Sequence, residues 1–443
     1  QNRHIGTPQS SRFQQQQPDI ELKQILAEID PTRLQATVQK LVSFGTRHTS
    51  SSQTDPLRGI GAATAWVDSQ MQSYAAASGG NMTVQEQTFT QPVSPKIPVP
   101  TSITNVIATL KGSGSPSRTY VILAHLDSRA TDVLDFTSDA PGADDDASGV
   151  AVVLELARVM ATRVPNATIL FATVAGESQG LYGSTFMANQ LKAAGVDVEG
   201  MFDINTVGSS TAQDGSHDAR EIRLFTEGVP TAATPGAIDL LEAQGGEDDS
   251  VSRELGRFAK SVAENRRTDM DDVWIIRRRD RYLRGGDQLP FQLQGFPAAR
   301  YTEPNENPNH LDVNVQVVNG VQFGDLPAFL DYQYLARVAR VSAASIWSLT
   351  QAPGTPKNLT LTLTNTPENT TNLSWDATTD PNVAGYEVVW RDMDDADWTH
   401  VVSVGDVTSA SFPFFPKDNF IIGVRAVDAN GHHSPVAYPS IFK

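Results

Sequence analysis

Three short segments contain side chains that could bind a metal ion and move protons. They are His125-Leu126-Asp127-Ser128, residues 142–149 with three consecutive aspartates, and residues 176–184, which include Glu177. Imidazole and carboxylate groups bind zinc, and a carboxylate can also act as a general base toward water. Because the chain has no cysteine, a metal ion would depend on His, Asp and Glu alone, and a Cys nucleophile is excluded.

His125 follows an apolar run at residues 120–124 that predicts a short strand. In a parallel sheet this places the imidazole at the carboxyl edge, where α/β folds collect their active sites. Asp127 lies two residues further on and is suited to orient His125 and to raise its basicity. The His-x-Asp pattern alone is weak evidence, because a surface His beside an Asp is also common.

Asp144, Asp145 and Asp146 precede Ser148 and a predicted helix. Three adjacent carboxylates repel one another unless a cation is present or the side chains point apart into solvent. A solvated acidic loop at a helix N-terminus is the plain alternative. The flanking glycines and the upstream His125 favour a metal site.

Glu177 follows a predicted strand at residues 168–174 and precedes a glycine-rich turn. Together these motifs resemble the zinc exopeptidases of the leucine-aminopeptidase type, a family that includes glutamate carboxypeptidases and, as relatives, glutaminyl cyclases. The family pattern is His-x-Asp, Gly-x-x-Asp-x-x-Ser-Gly, Glu-Glu-x-Gly-Leu-x-Gly-Ser, Asp-x-x-Gly and a late His. The resemblance extends from about residue 30 to 350 and includes residues 283–287 and 302–307.

The resemblance implies a role for each position that matches. His125 would bind one zinc ion, and Asp145 would bridge two. Glu177 would be the general base that takes a proton from metal-bound water and passes it to the leaving amine. Asp127 would stand behind His125 as its hydrogen-bond partner.

Two of the expected carboxylate ligands are replaced by neutral side chains. Ser178 stands where the second Glu of the pair should bind zinc, and Asn205 stands where Asp-x-x-Gly has its Asp. Asp203 lies two residues before Asn205 on the same face of the predicted strand, about 6 to 7 Å away. A slip of the strand would bring Asp203 into the ligand position, although the register that keeps Asn205 there is preferred.

The late His is also displaced from its expected place. The position that corresponds to the late His depends on the reference residue. Counted forward from Glu303 it falls on His310, and counted back from Asp312 it falls on Pro308. Gln288 stands where the family usually has a His after Gly-Gly-Asp. All of these substitutions fall at positions that belong to one metal site in the family pattern.

The charge balance limits how many zinc ions this set can hold. Two zinc ions, roughly 3.5 to 4 Å apart, carry four positive charges that the family offsets with three carboxylates. Asp145 is the one carboxylate retained at a matching position, so the repulsion between two ions would be poorly compensated. The sequence predicts at most one zinc ion, with His125, Asp145, Asp203 and His310 as candidate ligands, and it leaves a metal-free site open.

Three functional hypotheses follow, and the sequence does not decide whether the chain is an enzyme. The first is a metallo-exopeptidase-like protein of aminopeptidase type, acting on peptide or small amide substrates with a degenerate one-metal site. The alternative is a metal-free derivative of the fold, either a pseudopeptidase that binds peptide-like ligands or a repurposed enzyme that uses Glu177 as acid or base without zinc. A third, non-catalytic hypothesis is a surface-binding protein.

The elements that must position these residues alternate between strand and helix. This alternation predicts an α/β three-layer sandwich with a mostly parallel central sheet. The predicted strands are residues 106–110, 120–124, 168–174, 201–207, 222–226 and 298–302, and the predicted helices are 20–44 in two parts, 62–74, 150–161, 183–194, 251–263 and 325–350.

The chain divides into four predicted parts. Residues 1–18 are polar and predict a disordered or loosely held arm, and residues 19–352 form the zinc-exopeptidase-like domain. Residues 353–356 form a Pro/Gly linker. Residues 357–443 have short alternating segments, and they resemble a fibronectin type III module, an all-β sandwich.

Composition restricts the partners. The formal charge of −17 argues against nucleic acid and anionic membranes, and no apolar run approaches the ~20 residues of a membrane span. The basic run at residues 277–281 is interpreted as local ion pairing. A first residue other than Met is compatible with a removed signal peptide, so a secreted or periplasmic location is expected. The oligomeric state is not predicted.

Overall fold

A mixed β-sheet forms the centre of the first part of the molecule, and a β-sandwich forms the second. The computed structural model describes residues 8–114, 117–363 and 368–442. Its α-helices in these residues are α1 (Ile20–Glu28), α2 (Pro31–Val42), α3 (Ile60–Ala77), α4 (Gly149–Met160), α5 (Glu177–Gly180), α6 (Tyr182–Ala193), α7 (Pro235–Ala243), α8 (Val251–Ala263), α9 (Gln288–Leu293) and α10 (Tyr332–Gln351).

The strands up to residue 323 include those of the central sheet. They are β1 (Ser11–Arg12), β2 (Met82–Gln91), β3 (Thr101–Leu110), β4 (Thr119–His125), β5 (Thr168–Val174), β6 (Val198–Ile204), β7 (Glu221–Thr226), β8 (Asp272–Ile276), β9 (Ala298–Thr302), β10 (Gln316–Val318) and β11 (Val321–Phe323). The central sheet has the order β2-β3-β5-β4-β6-β9-β7-β8. Strands β5, β4, β6 and β9 are parallel, whereas β2, β3 and the β7-β8 pair add antiparallel steps at the two sides.

Helices cover both faces of this sheet, because its central strands are apolar on both sides. In β4, Tyr120, Ile122 and Ala124 join the core that includes α4 and α10. Val121 and Leu123 join the core of the opposite face, with residues of α6 and α9. The predicted three-layer α/β sandwich with a mostly parallel centre is therefore confirmed. None of the described helices is both long enough and apolar enough to cross a bilayer.

The last helix of the α/β part begins later than the sequence pattern predicts. Asp331 caps α10, and its carboxylate accepts hydrogen bonds from the backbone N–H groups of Gln333 and Tyr334. Asp325 instead turns toward the aspartate loop and accepts from the backbone N–H groups of Asp144 and Asp145. Asp325 therefore contacts the candidate site and is not part of α10.

The C-terminal part is a sandwich of two four-stranded sheets. Its strands are β12 (Thr360–Thr362), β13 (Thr371–Ser374), β14 (Val383–Asp392), β15 (His400–Gly405), β16 (Ser409–Phe412), β17 (Phe420–Asp428) and β18 (Ser440–Phe442). One sheet has the order β1-β15-β14-β17 and the other β16-β13-β12-β18. Trp375, Tyr386 and Trp390 are buried between them.

Part of the arm for which disorder was predicted is held by this sandwich. Ser11 and Arg12 pair with β15, and the backbone N–H of Phe13 donates to the carbonyl of Thr399 at 2.9 Å. The guanidinium of Arg425 lies 4.4 Å from the centre of the Phe13 ring. Disorder is thus not observed at residues 8–18, because an edge strand offers backbone partners and Phe13 adds an apolar contact. Residues 1–7 lie outside the described residues.

A buried polar contact fixes the sandwich against α8. The carboxylate of Glu254 accepts hydrogen bonds from Trp398 Nε1 (3.1 Å), the hydroxyl of Tyr438 (3.0 Å) and the backbone N–H of Val436 (3.1 Å). Arg257 pairs with Asp249 at 2.9 Å in the same interface. Because each of these groups is removed from water, a lost partner would be costly.

Candidate active site

A buried arginine joins the loops that carry the candidate residues. Arg47 donates from Nε to the carbonyl of Leu126 (2.8 Å), from Nη1 to that of Pro141 (2.6 Å) and from Nη2 to that of Gly142 (2.8 Å). The first carbonyl follows β4, and the other two precede the aspartates. This clamp fixes His125 relative to the aspartate loop.

The three consecutive aspartates point in different directions. Asp144 accepts a hydrogen bond from the backbone N–H of Gly208 at 2.7 Å. Asp145 faces the ring of His125, whereas Asp146 accepts from the backbone N–H of His125 at 3.0 Å. The side chains point to different partners within the protein, whereas the sequence suggested a shared cation or solvent, and burial together with the charge of Asp145 still raises the pKa of both Asp144 and Asp146.

His125 lies at the end of β4 in contact with two acidic residues. Its Nε2 is 2.8 Å from Oδ1 of Asp145 and 4.0 Å from Oε2 of Glu177. Burial alone would lower the pKa of His125, but the Glu177, Asp127 and Asp145 carboxylates outweigh it and raise that pKa well above its ordinary value. The charged imidazolium is therefore the favoured form.

Asp127 supports both His125 and Glu177. Its backbone carbonyl is 2.9 Å from Nδ1 of His125, whereas its carboxylate is 3.6 Å away. The carboxylate accepts instead from the backbone N–H groups of Glu177 (3.1 Å) and Ser178 (3.2 Å) at the start of α5. The side chain that was expected to orient the imidazole thus positions the proposed base.

Glu177 begins α5 beside His125, and its side chain remains partly open to solvent. Burial raises its pKa above the ordinary value, His125 opposes this, and Asp145 and Asp127 add to it. A carboxyl group with a raised pKa holds its proton to a higher pH than a free carboxyl group and can exchange it with a bound ligand.

Asp203 has hydrogen-bond and ion-pair partners other than His125 and Asp145. Its Oδ2 accepts a hydrogen bond from the backbone N–H of Asp287 at 3.0 Å and lies 4.0 Å from Nε of Arg300. Burial raises its pKa to about 7, with Arg300 opposing. Among the described residues, Asp203 makes no hydrogen bond or ion pair with His125 or Asp145.

Asn205 is buried next to the same arginine. Its backbone carbonyl accepts a 2.6 Å hydrogen bond from Nε of Arg300, while its side-chain Oδ1 is buried without a partner. Nη1 of Arg300 pairs with Asp280 at 3.1 Å. The position that the family pattern reserves for a carboxylate thus has no negative charge here.

His310 does not join His125 and Asp145. Its ring stacks on Phe329, with ring centroids 3.5 Å apart, and in the part of the chain that is described it has no ion pair with either residue. Asp312 interacts electrostatically with the site. Burial and the negative charge of Asp145 raise its pKa to about 6, whereas the guanidinium of Arg129, whose Nη2 lies 2.7 Å from the Asp312 carboxylate, lowers it.

Three acidic residues of the site were missed from the sequence. Asp287 is buried beside Asp203, and Asp325 is buried beside the aspartate loop. Asp312 was used in the sequence only to locate the late His, but it also interacts with the site. For Asp287 a signal existed, because it ends the Gly285-Gly286-Asp287 turn within the family resemblance. For Asp312 and Asp325, no local pattern reveals the long-range contact.

The described residues do not fit a two-zinc centre. No group of three or more His, Cys, Asp or Glu side chains in residues 8–114, 117–363 and 368–442 is arranged to hold a metal ion. His125 and Asp145 offer two adjacent donors, whereas catalytic zinc in proteins usually has three protein ligands.

Comparison with known proteins assigns the family. The model of peptidase family M28 matches residues 105–314. A probable zinc metalloprotease of Leptosphaeria maculans is 48% identical over 422 residues, covering 95% of this chain and 97% of the relative. The chain belongs to peptidase family M28. A second relative, a probable zinc metalloprotease of Pyricularia oryzae, is 48% identical over 440 residues, covering 98% of this chain and 87% of the relative.

Solved structures show the same fold at low sequence identity. An aminopeptidase from Aneurinibacillus sp. strain AM-1 has a TM-score of 0.51 and 17% identity, covering 75% of this chain and 97% of that one. LapB from Legionella pneumophila has a TM-score of 0.51 and 19% identity, covering 76% and 77%. The metallopeptidase family and the fold predicted from the motifs are thus confirmed for this M28 chain.

Proposed function

We propose that this M28 chain binds peptide-like ligands beside Glu177 as a metal-free derivative of the peptidase fold. The observation that carries the proposal is the pairing of His125 with Asp145, with no third His, Asp or Glu ligand among the residues that the structure describes. The peptide class of ligand is supported by family membership and by relatives named as probable zinc metalloproteases.

The charges of the pocket support this proposal. Asp145 is already paired with an imidazolium, because the surrounding carboxylates raise the pKa of His125 despite burial. Ser178 and Asn205 add no negative charge where the family pattern has carboxylates. Two divalent ions would therefore be offset by one carboxylate, Asp145, at the positions of the family pattern, and strong repulsion would follow.

Glu177 supplies the remaining chemistry. Its raised pKa lets the carboxyl group hold a proton and donate a hydrogen bond to a ligand carbonyl, or accept one from an amide N–H when ionised. The carboxylate of Asp127 fixes the start of α5 and with it the position of Glu177. These groups can bind and orient an amide.

A one-zinc peptidase is the competing function. The 2.8 Å separation of His125 Nε2 and Asp145 Oδ1 is also compatible with two donors around one cation, and the names of the relatives favour zinc. That function needs a third ligand from a residue that lies elsewhere in the described structure, and Asp203 and His310 are the candidates.

Peptide binding measured with and without chelator tests the proposal. A fluorescent unstructured peptide should bind equally well in EDTA and in zinc, remain intact on incubation, and bind several-fold more weakly to Glu177→Gln. Cleavage of the peptide that requires zinc and is lost in Glu177→Gln would establish the one-zinc peptidase instead. No binding of any peptide would overturn the peptide-ligand proposal.

A further inference from the structure

The basic run at residues 277–281 is only partly neutralised in the fold. Arg277 pairs with Asp248 at 3.2 Å, and Arg281 pairs with Asp280 at 3.0 Å, as the sequence interpretation expected. Arg278 and Arg279 are exposed and form no ion pair with any described residue. The local ion-pairing interpretation therefore holds for two of these four arginines.

Positive charge is also in excess around Glu306. Arg281 forms a close ion pair with this carboxylate, and the guanidinium groups of Arg284 and Arg223 lie 3.6 and 3.8 Å from it. Nη2 of Arg223 is buried without a hydrogen-bond partner. Burial lowers the pKa of Arg223, Glu306 opposes this, and the nearby charges of Arg281 and Arg300 lower it further. One carboxylate thus serves three cations.

These arginines, here called the basic rim (Arg223, Arg278, Arg279, Arg281 and Arg284), are fixed beside the candidate site. Gln288 Nε2 donates to the carbonyl of Arg279 at 3.1 Å. Gly285, which follows Arg284 in the chain, lies against Leu181. A Cβ atom added to Gly285 would be 3.8 Å from Leu181 Cδ1. Leu181 directly follows α5, whose first residue is Glu177. The segment that carries the basic rim therefore contacts the end of the helix that Glu177 begins.

The same segment exposes two large apolar side chains. Tyr282 is 77% exposed and Leu283 is fully exposed, and Arg278 lies 3.7 Å from the centre of the Tyr282 ring. Neighbouring cationic and apolar groups match a ligand that presents carboxylates and side chains on an extended chain.

We propose that the basic rim recognises the carboxylates of an acidic peptide segment whose chain continues toward Glu177. The proposal rests on the proposed peptide-binding function and names the class of peptide. A short acidic peptide is favoured over nucleic acid because the chain as a whole carries a net charge of −17, which repels a long polyanion beyond the rim.

Three peptides of equal length test the proposal by fluorescence anisotropy with the full chain. One is rich in Asp and Glu, one has Asn and Gln in their place, and one has Lys. The acidic peptide should bind about tenfold more tightly than the neutral one, and its affinity should fall as salt is raised. The triple variant Arg278→Gln/Arg279→Gln/Arg284→Gln should lose this difference and leave neutral-peptide binding unchanged.

A matched control removes two other exposed arginines. Arg266 and Arg267 lie on the loop between α8 and β8 and have no ion pair with described residues, so Arg266→Gln/Arg267→Gln should retain the preference. Equal binding of acidic and neutral peptides overturns the acidic preference alone. A single-stranded oligonucleotide that binds as tightly as the acidic peptide also overturns it, whereas no binding of any peptide overturns the proposed function itself.

Discussion

Nε2 of His125 lies 2.8 Å from Oδ1 of Asp145, and this contact is the centre of the candidate site. In a zinc peptidase these two groups would share a cation. Here the surrounding carboxylates raise the pKa of His125 against the effect of burial, so the ring itself carries the positive charge. Without a metal ion, the contact is a buried ion pair.

The ion pair predicts a metal-independent stability effect. Asp145→Asn should lower the free energy of unfolding by roughly 1 to 3 kcal/mol, because the buried imidazolium loses its 2.8 Å partner while Glu177 and Asp127 remain nearby. Urea unfolding of the variant and of the unmodified protein, each with and without EDTA, measures this. If EDTA alone destabilises the unmodified protein by a similar amount, the pair is a metal site instead.

Restoring the missing carboxylates should restore metal binding. Ser178→Glu/Asn205→Asp adds two negative charges at the positions where the family pattern has ligands, and zinc should then raise the melting temperature of the variant. The isosteric control Ser178→Gln should respond no more than the unmodified protein. A double variant that is as insensitive to zinc as the control would contradict the assignment of these two positions.

Glu254 predicts how strongly the sandwich is fixed to the α/β part. Glu254→Ala removes the acceptor for Trp398, Tyr438 and the backbone of Val436, which should cost about 2 to 4 kcal/mol of unfolding free energy. Glu242 is exposed on α7, and Glu242→Ala should change little. Equal stability of the two variants in denaturant would contradict a tight interface.

His432 predicts a pH dependence at the held arm. A hydrogen bond to Asp19 raises the pKa of His432, burial opposes this, and Asp428 adds to it. The folded-state pKa of His432 exceeds the unfolded value of about 6.5. The stabilisation that protonated His432 gives the folded state is therefore complete below pH 6.5 and is lost as pH rises through the folded-state pKa.

Limited proteolysis checks this pH dependence. Cleavage within residues 8–18 should become faster in the unmodified protein as pH rises above about 6.5 and through the raised folded-state pKa of His432, with a contribution of about 1 kcal/mol or less. His432→Gln should show a smaller change over the same range. An unmodified protein whose arm is cleaved at a constant rate across that range contradicts the role of His432.

The sequence predicted the fold well where burial is two-sided. The predicted bounds of β5, α8 and β9 agree with the structure, because apolar periodicity and capping act locally there. Strand β2 was missed because it alternates polar residues over a largely solvated surface. The ordered residues 8–18 were missed because their partner, β15, lies almost the whole chain away.

The site was predictable only in part for the same physical reason. His125 and Glu177 follow adjacent parallel strands, so the sheet rule places them at one edge. The stacking of His310 on Phe329, and the approach of Asp312 and Asp325, depend on a loop between β9 and α10 that has no periodic pattern. Tertiary contacts, rather than local sequence, decide which acids face the pocket.

Zinc titration of the purified full chain, after dialysis against chelator, tests the central claim most directly. The metal-free account predicts less than about a tenth of an equivalent of bound zinc by elemental analysis and no rise in melting temperature on adding zinc. One or two equivalents of tightly bound zinc, with a matching rise in melting temperature that Asp145→Asn abolishes, would contradict it.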